Sequence, residues 1–261
     1  MKLSIVIVEY HSVEDVRRCV SAIRATMPEV EIVVSSNSMY DAEYAASLQA
    51  KYADCRWVFN EKNGGFAYAM NHGLAVAQGD YLVISNPDCS VKYGLEEMME
   101  FLNEHKEIGA IAPQIVDNEN AIQDSCRFYV TLQSYLYRQI RRVLFRKESV
   151  LNPRFDYNKI QTVDWVIGAF IMVPREVYVK TGGLSDDYFM YSEDLDWCTR
   201  IRQAGYEVVY YPKAQVEYKG TRSARSSFKY MKIFLKSQFI YWRKFGFFCV
   251  RPKRTKIIFT K

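Results

Sequence analysis

The chain has 261 residues, 49% of them hydrophobic and 25% charged, which fits one or two compact domains and excludes wholesale disorder. No apolar run reaches the roughly 18–20 residues of a membrane span. The net charge of +5 is uneven: residues 219–261 hold thirteen Lys/Arg and no Asp/Glu, which leaves −8 on residues 1–218.

The start of the chain, Met1 to Ser12, lacks a small-residue cleavage site and reads as a first strand rather than a signal peptide. Leu3–Val8 is apolar except for Ser4, as a strand covered on both faces would be. Val16, Cys19, Val20 and Ile23 fall on one helical face. Val30–Val34 is a second strand, 41–52 a helix, Arg56–Phe59 a short strand and 66–77 a helix. Tyr81–Ser85 is a strand, 94–105 a helix and Ile108–Val116 a strand. A basic aromatic helix is expected near 133–146 within the irregular stretch 117–162. Val163–Val173 is a further apolar run, 192–204 a helix, Glu207–Tyr211 a short strand and 226–245 a final helix. The alternation predicts a mostly parallel sheet with helices on both faces. Ligands bind such sheets outside the carboxyl ends of the strands.

Six cysteines (Cys19, Cys55, Cys89, Cys126, Cys198 and Cys249) lie outside metal-knuckle spacing and read as reduced thiols of a cytosolic protein. The three histidines form no HExxH, against a zincin-type site. The turn after the first strand, Glu9-Tyr10-His11-Ser12, has no glycine, so dinucleotide and Walker fingerprints are absent.

Three local features bear on chemistry. Ser85-Asn86-Pro87-Asp88 ends a strand with a carboxylate that could hold Mg²⁺ or Mn²⁺ against a diphosphate, although alone it reads first as a turn. Glu193, Asp194 and Asp196 open a helix behind Ser192. Acids there complement the helix dipole with Ser192 as cap, or one serves as a general base. Asn63-Gly64-Gly65 precedes a helix, as a plain turn or a place where backbone approaches phosphate.

Taken together, these segments resemble the family 2 glycosyltransferases, which have the GT-A fold. The resemblance covers about residues 3–225. It is carried by Ser4–Ser12, Asn63-Gly64-Gly65-Phe66-Ala67, Asn71-His72-Gly73-Leu74, Ser85–Asp88, Val163–Ala169 and Gly182–Asp196. Trp165-Val166-Ile167-Gly168-Ala169 and Phe189-Met190-Tyr191-Ser192-Glu193-Asp194 look most like bacterial rhamnosyltransferases of surface-polysaccharide assembly.

The fold this implies is α/β: a Rossmann-like, mostly parallel mixed sheet flanked by helices, with a basic amphipathic tail. Residues 1–225 would form the transferase domain and 226–261 the C-terminal helix and tail. The activity implied is inverting transfer of a sugar from a nucleotide diphosphate to a glycan, or polyprenyl-diphosphate-linked glycan, hydroxyl. L-rhamnose from dTDP-L-rhamnose is the first expectation. A UDP-sugar donor, including galactofuranose, and a non-catalytic scaffold are the alternatives.

By motif match, Asp194 is the base, and Asp88 meets Mg²⁺ or Mn²⁺ and the diphosphate. Glu9, Tyr10, Ser36, Asn63, Gly64, Trp165 and Gly168 would border the donor. Arg127, within Gln123-Asp124-Ser125-Cys126-Arg127, would contact phosphate or acceptor, and Glu193 and Asp196 would shape the acceptor site or orient the base. Ser36 stands where relatives carry an Asp that contacts the nucleotide. Glu217 stands where many carry a metal-binding His, so Glu217 joins Asp88 as a candidate ligand, or Lys219 or Arg222 takes over the diphosphate charge.

In the last helix Phe228, Met231, Leu235, Phe239, Trp242 and Phe245 form one stripe, and Lys229, Lys232, Lys236 and Arg243 another. Packing on the domain would explain the apolar stripe, but not the absence of acid. An anionic membrane surface is the expected partner of 226–261, at the inner face of the cell membrane. No nucleic-acid motif occurs.

Overall fold

The computed structural model describes residues 1–136, 140, 151, 152, 154–220 and 228–248. The helix expected at 133–146 lies largely outside the described residues, as do Arg222, Cys249 and the end of the tail.

The main sheet has the order β3-β2-β1-β4-β10-β6-β11-β5, with β8 added on β11. Its strands are β1 (Leu3–Glu9), β2 (Glu31–Ser36), β3 (Arg56–Phe59), β4 (Tyr81–Ser85), β5 (Cys89–Tyr93), β6 (Ile108–Val116), β8 (Gln161–Val163), β10 (Phe170–Pro174) and β11 (Glu207–Tyr218). The β3-β2-β1-β4 half is parallel, β6 and β11 are parallel to one another, and β10 runs antiparallel between β4 and β6. A small ribbon pairs β7 (Cys126–Arg127) with β9 (Trp165–Val166).

The central strands are buried on both faces because helices cover both. One apolar layer joins Ile5, Ile7 and Val34 to α1 (Val13–Thr26) and α4 (Leu95–Glu104). The other joins Val6, Val33 and Ile84 to α3 (Phe66–Val76), α5 (Arg175–Thr181) and α6 (Glu193–Gln203). The four residues expected on one face of α1 are its buried residues. In α2 (Ala42–Lys51) Asp41 caps the helix, its side chain accepting from the Tyr44 N–H at 2.8 Å.

Several expectations change. Val163–Val173 is not one strand: the chain leaves the sheet after β8, forms β9 against β7 and returns as β10. β11 runs on to Tyr218, seven residues past the expected end, through a register irregularity between Tyr211 and Gln215. β5 and α5 were not expected; both are short, and β5 owes its existence to pairing with the distant β11. The last helix, α7 (Phe228–Phe245), packs on the body through a third cluster of Val130, Tyr188, Leu195, Tyr241 and Trp242.

Candidate active site

The carboxyl ends of β1, β2 and β4 and the starts of α3 and α6 carry the motifs. The Asn86 N–H donates to Ala169 O at 2.9 Å, so the Asp88 turn lies against the Gly168-Ala169 loop. The Gly168 N–H donates in turn to Asp194 Oδ2 at 2.7 Å. The Phe66 N–H donates to Phe189 O at 2.9 Å, and Asn71 bonds both the carbonyl and the N–H of Leu184. The start of α3 is thereby stitched to the 184–189 loop that leads into Asp194. Gly65 is required there: at φ +94°, a Cβ would lie 2.0 Å from Phe189 O.

Asp194 is half-buried at the first turn of α6. Its Oδ1 accepts from the Leu195 N–H at 2.7 Å, so both carboxylate oxygens are held by backbone. Burial pushes its carboxyl up from the ordinary value, while these N–H groups and the nearby Arg127 pull it back. Glu193 is 8% exposed and its Oε2 has no hydrogen-bond partner. Burial, then the Asp194 charge, push its carboxyl up to about 8.

Ser192 does not cap α6 with its side chain, contrary to expectation. Tyr191 and Ser192 both take the left-handed conformation, at φ 71° and 68°. Two consecutive non-glycine residues there store strain, and they turn the chain so that Glu193 and Asp194 begin the helix.

Asp88 is half-buried; burial raises its carboxyl, opposed by a hydrogen bond from Gly220 backbone and by Lys219. The Lys219 charge therefore reaches the Asp88 carboxyl. Glu217 does not join Asp88. It pairs with Lys92 at 2.5 Å, and strand alternation sends its side chain away from Tyr218, whose hydroxyl accepts from Asn86 beside Asp88. Among the described residues no group of three or more His, Cys, Asp and Glu could hold a metal. Asp88 alone, completed by phosphate oxygens and water, still fits Mg²⁺ or Mn²⁺, because such ions are commonly held by one or two carboxylates plus substrate phosphates.

Arg127 pairs with Asp124 and lies opposite Trp165 in the β7–β9 ribbon, beside Asp194. Trp165 is half-buried and donates its indole N–H to Phe128 O at 2.9 Å. Asn63 Oδ1 accepts from the Gly65 N–H at 3.1 Å, shaping the loop ahead of α3 next to Gly64.

Glu9 and Ser36 are 0% and 1% exposed and face one another across the β1–β2 pair. The Glu9 carboxylate accepts from Ser36 and Ser38 hydroxyls at 2.5 and 2.8 Å, Tyr40 hydroxyl at 3.1 Å and the Ser12 N–H at 2.7 Å. Contrary to the expectation that they border the donor, neither Glu9 nor Ser36 is open to direct nucleotide contact. The pair instead supports an aromatic surface: Tyr10 is 51% exposed, its ring 4.5 Å from that of His11, which lies edge-on to Tyr40 at 6.1 Å. Sequence reasoning missed Ser38 and Tyr40; the polar run after β2 was the only local signal.

Asp196 is likewise not at the acceptor face. It is 0% exposed, and Arg200 at 2.5 Å, Lys244 at 2.8 Å and the Tyr188 hydroxyl at 3.1 Å occupy it. It ties α6, and with it the segment carrying Asp194, to α7. Lys244 was not expected in this role.

A mixed sheet of this order, with carboxylates at the strand ends and at the start of α6, is the GT-A type of glycosyltransferase fold. The chain belongs to glycosyl transferase family 2, whose family model matches residues 4–200. It is a glycosyltransferase. A relative from Mycobacterium tuberculosis, N-acetylglucosaminyl-diphospho-decaprenol L-rhamnosyltransferase, is 25% identical over 241 residues, covering 83% of this chain and 76% of the relative. Rhamnosyltransferase WbbL of Escherichia coli K12 is 25% identical over 252 residues, covering 90% and 91%. Among solved structures, GalNAc-T7 with UDP, GalNAc and Mn²⁺ matches with a TM-score of 0.64 at 16% identity, over 83% of this chain but 43% of that one. The mannosyltransferase PcManGT of Pyrobaculum calidifontis, with GDP-Man and Mn²⁺, matches with a TM-score of 0.61 at 17% identity, over 93% and 64%.

Proposed function

We propose that the chain is an inverting transferase that moves L-rhamnose from dTDP-L-rhamnose to a hydroxyl of a polyprenyl-diphosphate-linked glycan. The carrying observation is Asp194: a half-buried carboxylate gripped by two backbone N–H groups, next to the Asp88 turn. The names of the two rhamnosyltransferase relatives, one of them acting on a decaprenol diphosphate, support the donor and acceptor class.

Transfer needs a base, an in-line approach and charge compensation on the leaving group. Asp194 takes the proton of the acceptor hydroxyl as that oxygen attacks the anomeric carbon. The bond to the nucleotide diphosphate breaks on the opposite side, which inverts the centre. The Gly168 and Leu195 N–H groups fix the direction of the carboxylate, so no reorganisation is needed at the moment of attack. Lys219 offsets negative charge on the departing diphosphate. Asp88 would hold Mg²⁺ or Mn²⁺ there, and that cation, when bound, neutralises the leaving group. Tyr10 and His11 offer the base a face for stacking, and Trp165 and Gly168 border the sugar.

A UDP-sugar donor is the second reading. With Ser36 held by Glu9, base recognition falls to the Tyr10–His11–Tyr40 surface, and ring stacking accepts uracil as readily as thymine. Thermal shifts with dTDP, UDP, GDP and CDP, each with and without Mn²⁺, separate the two, since a ligand of the native state raises its melting temperature. A metal-dependent shift with dTDP alone supports the rhamnosyl reading, and a UDP preference replaces it. Asp194→Asn should lower transfer by about 10²–10⁴-fold with donor binding retained. Normal turnover by that variant removes Asp194 from the role of base.

A further inference from the structure

α7 is amphipathic the wrong way round for a helix that only packs on its own domain. The residues it buries are Ser237, Gln238, Tyr241 and Trp242. The residues it turns outward include Phe228, 74% exposed, Met231, 46%, Leu235, 45%, and Phe239, 53%. Their spacing of three, four and four places them in one line along about three turns of helix. The stripe expected from sequence therefore divides: Trp242 goes inward, while the first four apolar residues stay in solvent.

Exposed lysines Lys229, Lys232 and Lys236 accompany this line, Lys232 with its ammonium 4.9 Å from the Phe228 ring centroid. Phe248, 75% exposed, lies just beyond the helix. No acid occurs anywhere in 219–261. A second copy of the chain meeting this face would bring lysine against lysine. An anionic lipid surface meets both features at once: apolar rings enter the acyl boundary while long basic stems reach the headgroups. Among the described residues no helix is long and apolar enough to cross a membrane, and α7 suits lying in the interface plane.

The inward face of α7 is wired to the catalytic helix. The Ser237 hydroxyl donates to Met190 O at 2.8 Å, two residues before Ser192. The Tyr241 hydroxyl bonds Thr199 at 3.0 Å, and Lys244 reaches buried Asp196 at 2.8 Å. We propose that the outward face of α7 (Phe228, Met231, Leu235, Phe239 and the flanking lysines) docks on an anionic bilayer, so that the helix holding Asp194 is carried in a fixed orientation to the lipid surface. The docking stands on α7 alone; its purpose, presentation of the site to a lipid-linked acceptor, rests on the function proposed above.

The test uses the full chain and sedimenting vesicles of phosphatidylcholine with phosphatidylglycerol, against phosphatidylcholine alone. The wild type should bind the anionic vesicles and bind the neutral ones at least about 10-fold more weakly, because attraction to anionic lipid adds to apolar insertion. Combined Phe228→Ser, Met231→Ser, Leu235→Ser and Phe239→Ser should lower anionic-vesicle binding by about 10-fold or more. The nucleotide-induced thermal shift should persist in that variant, which also shows that it is folded. A second variant, Lys229→Gln with Lys232→Gln and Lys236→Gln, should lose binding to anionic vesicles specifically. Unchanged vesicle binding in the serine variant overturns the proposal, as does equal binding to neutral vesicles. A wild-type dimer that the serine substitutions convert to monomer also overturns it, making the face a contact between copies. Failure of dTDP to shift the melting temperature with vesicle binding intact would sink the dTDP-rhamnose reading and leave the docking standing.

Discussion

Replacing Glu193 by glutamine keeps the shape of the side chain and its neutral form, and removes only its ability to ionise. In the folded protein burial and the Asp194 charge push this carboxyl from near 4.5 up to about 8. In the unfolded chain it ionises near its ordinary value. Between those two pH values the folded state keeps a proton that the unfolded state has released. The contribution of Glu193 to stability is therefore complete below about pH 4.5 and is lost as pH rises through about 8. At about 1.4 kcal/mol per pH unit, the window sets a scale of a few kcal/mol. Urea unfolding of wild type and Glu193→Gln at a series of pH values, with linear extrapolation to water, reads this difference directly. The two should be close near about pH 5, and the variant should be more stable by about 2–4 kcal/mol near about pH 9. Transfer by Glu193→Gln at neutral pH should persist, because a neutral Glu193 already leaves the negative charge on Asp194. Parallel stability curves, or a variant weaker at high pH, would refute the reasoning.

Gly168→Ala places a Cβ 3.1 Å from Asp194 Cβ and 3.4 Å from Oδ2, so the carboxylate must shift by a few tenths of an ångström. Steady-state kinetics should show kcat down about 10-fold with the donor KM little changed, and unfolding should show a loss of only about 1 kcal/mol. Glu9→Ala strands the hydroxyls of Ser36, Ser38 and Tyr40 and the Ser12 N–H. Denaturation should report a loss of about 3 kcal/mol, with nucleotide binding weakened as well; a stable variant with normal nucleotide affinity would remove the supporting role of Glu9. Gly65→Ala combines a positive φ with a 2.0 Å clash on Phe189 O and should cost more than about 3 kcal/mol in the same measurement.

The local sequence determined where the chemistry sits along the chain. Apolar runs fixed β1, β4 and β6 closely, because a strand covered on both faces needs uninterrupted apolar side chains. Asp88 at a strand end, Asn63-Gly64-Gly65 before α3 and Glu193-Asp194 opening α6 were legible because turns and helix starts are specified by neighbouring residues. Partnership was not legible. Glu9 and Ser36 were each read as facing a nucleotide; 27 residues apart, they face one another, a fact set by the β1–β2 register. Asp196 is expected to shape the acceptor site or orient the base; the first does not hold, because alternate positions at a helix start point to different sides and the docked α7 supplies the Lys244 that occupies it. Glu217 is by sequence a candidate metal ligand, with Lys219 or Arg222 as the alternative, and the pairing of β11 with β5 instead brings Lys92 beside it. The outward stripe of α7 shows the limit most plainly. Periodicity reveals that a helix has an apolar side, and only the packed structure decides whether that side meets the protein or the solvent, because burial is a property of what lies opposite.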